Sequence, residues 1–351
     1  MIVAFRVINR PVFAKTRVGG VQLHSKLSNT PIPLPTTVAG ALGALLGVRL
    51  KAGSAIDPCS KLMGLEDLNE LYSELKEKLK CGDPCIKGPL TYFENWPYLN
   101  VGELFVPVAE SVLESLRDLH SLPEEKRSEY VRHITLRRVG VALERRDAAT
   151  PKVVKTGYFY TAPASLYVRE AGGTPVQPVF KYVLEGSIDR CGEVVRFGGE
   201  GTLAEVYCEN GADDVFKYVT SPLEQLDRGT YVALTPIPAI PTPCGQSGGG
   251  LGGAFNVEKV AGVCFETPFR LGEIVGLPGS LKDGVVAKPP KIRVERLGLG
   301  YSESLNMRRP QILVFPQGTI VQIKDAAPRS FSDLVRVLLE IGFASLLKLP
   351  G

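Results

Sequence analysis

No apolar run in this chain of 351 residues approaches the roughly 20 that a membrane helix needs. The N-terminus has no signal-peptide layout, so the expectation is a soluble cytoplasmic protein with no membrane partner. Histidine is scarce at three residues, and tryptophan occurs once. The seven cysteines are odd in number and contain no Cys-x-x-Cys pair, which does not describe a secreted disulfide framework. Cys59, Cys81 and Cys85 read as either a bridge or part of a metal site, but their spacing fits no standard zinc pattern, so no metal and no cofactor is expected. The glycine-rich stretch Cys244-Gly-Gln-Ser-Gly-Gly-Gly-Leu-Gly-Gly253 is followed by no Gly-Lys-Ser/Thr, which excludes a P-loop. A strand rather than a helix is expected after it, which excludes a dinucleotide fingerprint. Acidic residues are missing altogether before Asp57.

That last absence gives meaning to a mild net charge of +4. Residues 1–56 carry +7, and residues 126–157 carry nine basic against three acidic side chains, which leaves the remainder at −9. Such segregation suits a protein with a polyanion on one side and protein partners on another; the bland alternative is solvated surface. With 44% hydrophobic and 22% charged residues the chain is globular, of about two domains by size, and able to bury a large core.

The organising stretch is residues 2–47. Ile2-Val-Ala-Phe-Arg-Val-Ile8 is apolar on nearly both faces and reads as a central strand. A basic loop follows with Arg10, Lys15, Arg17, His24 and Lys26. It ends in Pro33-Leu-Pro-Thr-Thr-Val-Ala-Gly-Ala-Leu, which predicts a helix with Thr36 as N-cap and Gly47 as stop. Helical periodicity puts Val38, Leu42 and Leu45 on one face and Gly40, Gly43, Ala44 and Gly47 on the other. The glycine face either packs closely on another element or, with free N–H groups over residues 36–38, accepts a phosphate backbone.

Further along, residues 62–79 predict an amphipathic helix, and residues 88–107 an irregular aromatic passage with Trp96 as a core plug rather than a base-stacking platform. Short helices are expected over 110–119 and 123–133. Residues 137–146 and 153–160 predict a hairpin with Arg137, Arg138, Arg145 and Arg146 at the two ends of its first arm, suited either to holding a strand's phosphates or to keeping an exposed edge soluble. Gly198-Gly199 reads as a turn into a strand over 202–208, and the polar tract 209–214 as a boundary. The second half opens with a strand from Gly229, reaches the glycine-rich loop with Gly248, Gly249 and Gly250, and continues through strands near 260–268, 292–297, 311–315 and 318–323. That loop exposes consecutive amides to a ligand or is a linker. A last helix is predicted from Ser330 to Leu347. Several strands with one or two helices in each half fit an α+β chain of ferredoxin-like β-α-β-β-α-β units.

In order, Pro33-Leu-Pro-Thr-Thr-Val-Ala-Gly-Ala-Leu, Gly88-Pro-Leu with Leu104-Phe-Val-Pro-Val, Arg138-Val-Gly-Val-Ala-Leu, Gly157-Tyr-Phe-Tyr, Gly198-Gly-Glu and Pro316-Gln-Gly-Thr-Ile-Val resemble the RAMP proteins of type III CRISPR effector complexes, and in particular the third subunit of the Cmr complex. The series depends on its order, which spans about residues 30–323, rather than on any one motif. Two departures occur: Gly201-Thr202 stands where relatives often have an arginine after Gly-Gly-Glu, and Leu297-Gly-Leu-Gly-Tyr301 keeps part of a later glycine signature.

The resemblance implies two ferredoxin-like (RRM-like) RAMP domains with long inserted loops and a β-hairpin thumb. Residues 1–214 would form the first, with a helical insertion and the thumb, and 215–351 the second, with the glycine-rich loop. It implies a non-catalytic subunit that caps the 5′ tag of the crRNA and contacts the large polymerase-like subunit and a repeating backbone RAMP subunit. Carried over by motif, the expected RNA-binding residues are Lys15, Arg17, His24, Lys26, Thr36, Thr37, Arg137, Arg138, Arg145, Arg146, Gly248, Gly249 and Gly250. A tag is read through backbone, 2′-hydroxyls and splayed bases, which calls for cationic loops and free amides. Two rival readings are a metal-independent endoribonuclease for repeat RNA, with His24 as general base and Lys26 stabilising the transition state, and a purely structural subunit whose basic arcs meet acidic protein surfaces.

Overall fold

The strand that the sequence places at the centre, Ile2–Val7, is hydrogen-bonded on both sides, antiparallel to Val179–Leu184 and to Leu203–Glu209. Five of its six residues are buried, as an apolar pattern on both faces demands. In the computed structural model, which describes residues 1–16, 28–50, 65–144, 153–199, 201–209, 211, 214–242, 257–260, 263–302, 307–326 and 329–351, this strand belongs to a ten-stranded antiparallel sheet. Every strand of that sheet comes from residues 2–209. Towards one end of it, next to the two-residue edge strand Pro175–Val176, lies the long hairpin Val131–Glu144 and Val153–Arg169. Two five-stranded sheets are drawn from residues 219–348.

Among the described residues there are four α-helices. Helix α1 (Pro35–Leu45) and α2 (Glu66–Leu79) pack together on one face of the large sheet, α3 (Glu110–Leu119) lies on the other, and α4 (Asp333–Glu340) contacts α2. The chain is thus mixed helix and strand, mostly sheet. Its two cores are shared along the sequence: in the strand Gly229–Ala233, Tyr231 and Ala233 enter the core of α1 and α2, whereas Val232 enters that of α3.

Several elements differ from expectation. Residues 88–107 are not irregular but form three paired strands, Ile86–Phe93, Trp96–Val101 and Leu104–Pro107. Pro89 is tolerated because it sits at a bulge: Gly88 and Pro89 lie between Lys87 and Leu90, which pair with Val183 and Lys181, so the register shifts there and no ladder donor is required. Trp96 is 71% exposed and therefore no core plug. Helix α1 starts two residues earlier than predicted, with Pro35 in its first turn and Leu34 as a cap without a side-chain hydrogen bond. The helix predicted over 123–133 is a 3-10 turn, Glu124–Glu129, that gives way to strand. The last helix is capped by Ser332, whose hydroxyl accepts from the Val335 N–H, and it stops at Glu340. Gly342 and Ala344 take positive φ there, and Leu346–Lys348 becomes a strand beside Gly229–Ala233.

Of the two alternatives read for Cys81 and Cys85, the bridge is the one present, and a second disulfide joins cysteines that the sequence did not pair. Cys81 and Cys85 form a disulfide at the end of α2, and Cys191 and Cys208 form a second one at the sheet edge. Cys59 lies outside the described residues.

Candidate nucleic-acid interface

The basic N-terminal arm and the arginine hairpin are more than 100 residues apart in sequence, from Lys26 to Arg137, and the fold joins them. Flanking residues 17–27, the short strands Ala14–Thr16 and Ser28–Asn29 pair with each other, so the arm leaves and returns at one place. The Ser165 N–H, on the second strand of the hairpin, donates to the Pro11 carbonyl at 2.8 Å, and Tyr167 donates its hydroxyl to the Pro31 carbonyl at 2.8 Å. Asn29 Nδ2 donates to Ser165 Oγ at 2.6 Å. Ser165 in turn lies 2.9 Å from His133 Nε2, whose Nδ1 is 2.7 Å from Glu103 Oε2. With the neutral ring protonated on Nδ1, every donor in the chain Asn29, Ser165, His133, Glu103 finds an acceptor. The series crosses three segments of sequence and clamps the arm to the hairpin.

A second clamp is the Gly198-Gly199 turn. The Gly199 N–H donates to the Val12 carbonyl at 2.9 Å, and a Cβ on Gly198, whose φ is +118°, would stand 2.7 Å from that oxygen. Thr202 is 1% exposed and accepts the Val12 N–H on its hydroxyl at 3.1 Å. The Gly-Gly-Glu turn therefore holds the arm through backbone contacts, and only glycine fits so close a crossing.

Much of the positive charge counted from the sequence is neutralised within the fold. Arg6 pairs with Glu205 at 2.6 Å and lies over the Tyr207 ring; hydrogen bonds from Tyr207 and Arg6 hold the Glu205 carboxyl below its ordinary range. At the root of the hairpin, Arg127 and Arg132 both bind Glu170. Burial pushes that carboxyl up, but the two guanidinium hydrogen bonds outweigh it and keep Glu170 below the usual carboxylate range. Lys126 pairs with Glu129. Arg137 is different: it is exposed, and among the described residues it has no ion-pair partner. Strand alternation puts it with Thr135 and His133 on the Ser165 side, facing the arm. Because the strand begins at Val131, Arg137 and Arg138 sit in its middle rather than at an end.

The remaining predicted residues fall into three groups. Lys15 lies on the strand Ala14–Thr16, and Arg138 is paired across the hairpin with Ala162. Thr36 is 8% exposed and Thr37 is half-buried. The amides of Thr37 and Val38 donate to the Leu34 carbonyl, so the helix start does not offer them free to an anion. On the glycine face, Gly43 is closed by Leu71, whereas Gly40 meets nothing within 4 Å. Arg17, His24, Lys26, Arg145, Arg146, Gly248, Gly249 and Gly250 lie outside the described residues. Sequence reasoning missed the role of His133, Ser165 and Asn29, since no local pattern marks a contact across 136 residues. It also missed Trp96 as a surface group, although Glu94-Asn95, both at positive φ, is a recognisable two-residue hairpin turn.

No protein-family model matches this sequence, and no curated protein matches it. The fold, in contrast, has clear neighbours among solved structures. A chain of the cryo-EM structure of the Type III-B Cmr-beta bound to cognate target RNA aligns with a TM-score of 0.59 at 18% identity, over 99% of this chain and 97% of that one. A chain of the same assembly bound to cognate target RNA and AMPPnP, in its state 1, aligns with a TM-score of 0.57 at 17% identity over equal spans. From end to end, then, this chain has the fold of a chain of the Type III-B Cmr-beta complex, the kind of type III assembly that its ordered motifs resemble.

Proposed function

We propose that the protein is a non-catalytic RNA-binding subunit of a type III CRISPR effector complex, built from two ferredoxin-like RAMP domains divided near residue 214. It grips the 5′ tag of the crRNA between the N-terminal arm and the hairpin, and it bridges a large polymerase-like subunit to a backbone RAMP subunit. The observation that carries this reading is the convergence of the two basic segments through Pro11, Asn29 and Ser165, with Arg137, which has no ion-pair partner among the described residues, on the same side. A single strand held by its phosphates needs such a cationic cleft; target sequence is read by the guide's own base pairing, so the protein has only to fix one end of the guide.

The test is photocross-linking in the assembled complex, with a guide that carries reactive nucleotides in the tag. Adducts are expected on the arm and on the hairpin near Arg137. Arg137→Glu with Arg138→Glu is expected to weaken guide retention roughly tenfold or more at moderate salt while leaving the melting temperature unchanged. Absence of any adduct on this chain overturns the reading. Cleavage of repeat RNA by the purified protein in EDTA, lost in His24→Ala, would replace it with the nuclease.

A further inference from the structure

A second surface of the molecule has a different chemistry. Residues 274–293 leave the C-terminal half and lie against the N-terminal one: Gly279–Lys282 runs parallel to Ser121–Pro123, and Val285–Lys288 pairs with its outer side to complete a three-stranded sheet. The crossing is tight enough that a Cβ on Gly279 would stand 1.8 Å from the Lys288 carbonyl oxygen, and one on Gly276 would stand 2.4 Å from the Lys291 carbonyl. This flap and the large sheet flank a cleft of about 520 Å³, walled in part by Val101, Leu104, Leu122, Leu277 and Ile292.

Three features mark it as an interface. Val285–Lys288 is an edge strand with all four residues exposed, and its outer hydrogen-bonding side meets no other described strand. Four of the twelve exposed large apolar side chains lie within ten residues there: Val285 at 68%, Val286 at 39%, Ile292 at 55% and Val294 at 44%. Lys282, Lys288 and Lys291 have no ion-pair partner among the described residues, and residues 282–296 carry five basic against two acidic side chains. An open edge bearing valines is a site that proteins otherwise blunt or cover.

We propose that this edge and cleft dock an extended acidic and aliphatic segment of another protein subunit. The segment adds a strand to Val285–Lys288, places a branched aliphatic side chain in the cleft, and sets carboxylates against Lys288 and Lys291. The absence of a stacking surface among the described residues favours protein over RNA: the aliphatic wall is rimmed by Glu124, Arg127, Lys288, Lys291 and Arg293, and the one aromatic in the lining, Tyr130, is 2% exposed with its hydroxyl donated to the Pro123 carbonyl, so it offers no stacking platform.

The inference rests on membership of a multi-subunit particle, and the test separates the two. Hydrogen–deuterium exchange is followed for the free chain, for the chain with guide RNA, and for the assembled particle. Amides of residues 285–288 are expected to slow at least about tenfold in the particle and not with RNA alone. Lys288→Glu with Lys291→Glu is expected to cut incorporation roughly tenfold at moderate salt while the melting temperature holds. Equal exchange in particle and free chain overturns the docking site alone, and slowing by RNA alone overturns the choice of a protein occupant. Protection in a particle whose guide makes no adduct with this chain overturns the tag-binding reading and upholds the docking site. A chain that joins no particle overturns both.

Discussion

Trp96 is where the expectation from residue type and the fold part most sharply. Aromatic residues carry large apolar surface, and a lone tryptophan in a proline-rich, aromatic passage reads as a plug. The cross-strand pair decides otherwise. Phe93 faces Trp96 across the tip of the hairpin and is fully buried, while the Glu94-Asn95 turn carries the next residue beyond the end of the core. Removing a buried aromatic side chain typically costs about 3–5 kcal/mol, whereas changes at an exposed site stay within about 0.5 kcal/mol. Trp96→Ala is therefore expected to leave unfolding free energy in denaturant nearly unchanged, and iodide is expected to quench the indole fully in the free chain. A loss near 3 kcal/mol would put the indole back in the core. As the only tryptophan, it also reports directly whether a partner covers this tip.

At the scale of elements, α1 tests how a helix can carry glycines on one face. Gly40 is exposed with nothing within 4 Å of its would-be Cβ, so Gly40→Ala is expected to stabilise the protein by about 0.5–1 kcal/mol, the difference in helix propensity. At Gly43 the new methyl would lie 2.8 Å from the Leu71 Cδ1, and the displaced side chain is expected to cancel the gain. Equal stabilisation by both substitutions, measured by chemical denaturation, would mean that α1 and α2 are not in contact at Gly43. The face itself was legible from spacing, as were the central strand, α2, α3 and the strand Gln311–Phe315, because a strong period with clear breakers leaves little choice. The strands around Pro89 were not legible: a bulge against a strand some ninety residues later is what makes that proline acceptable. Nor was the end of α4, since Ile341-Gly-Phe-Ala-Ser-Leu-Leu347 suits a buried strand as well as a helix. Of the interface, the sequence yields the sign of the charge and its two locations. That Arg127 and Arg132 are consumed by Glu170 whereas Arg137 is not depends on pairings that only the fold creates.

For the whole molecule, strand pairing and side-chain packing divide the chain differently. The three large sheets separate between residues 209 and 219, but the small sheet formed by Ser121–Pro123 with Gly279–Lys282 joins the halves, and so do the cores. Asp67 of α2 is fully buried and accepts hydrogen bonds from Arg309 Nε and Nη2, the latter at 2.5 Å, with Arg309 only 10% exposed. Gly318, with φ of +83°, lies so close to the large sheet that a Cβ would meet the Val101 Cα at 2.6 Å. A chain of this size built of two independent domains would unfold in two steps. Here each half supplies part of the other's core, so calorimetry is expected to give one transition whose calorimetric and van't Hoff enthalpies agree. Asp67→Asn leaves the Arg309 charge buried without its counter-ion, a change that typically costs about 3–5 kcal/mol. It is expected to move the entire transition to lower temperature rather than split off a melting half. Two transitions in the wild-type protein, or a variant in which only one half softens, would mean that the shared core does not couple the two parts, and that the arm and hairpin could be ordered without the flap that closes the cleft.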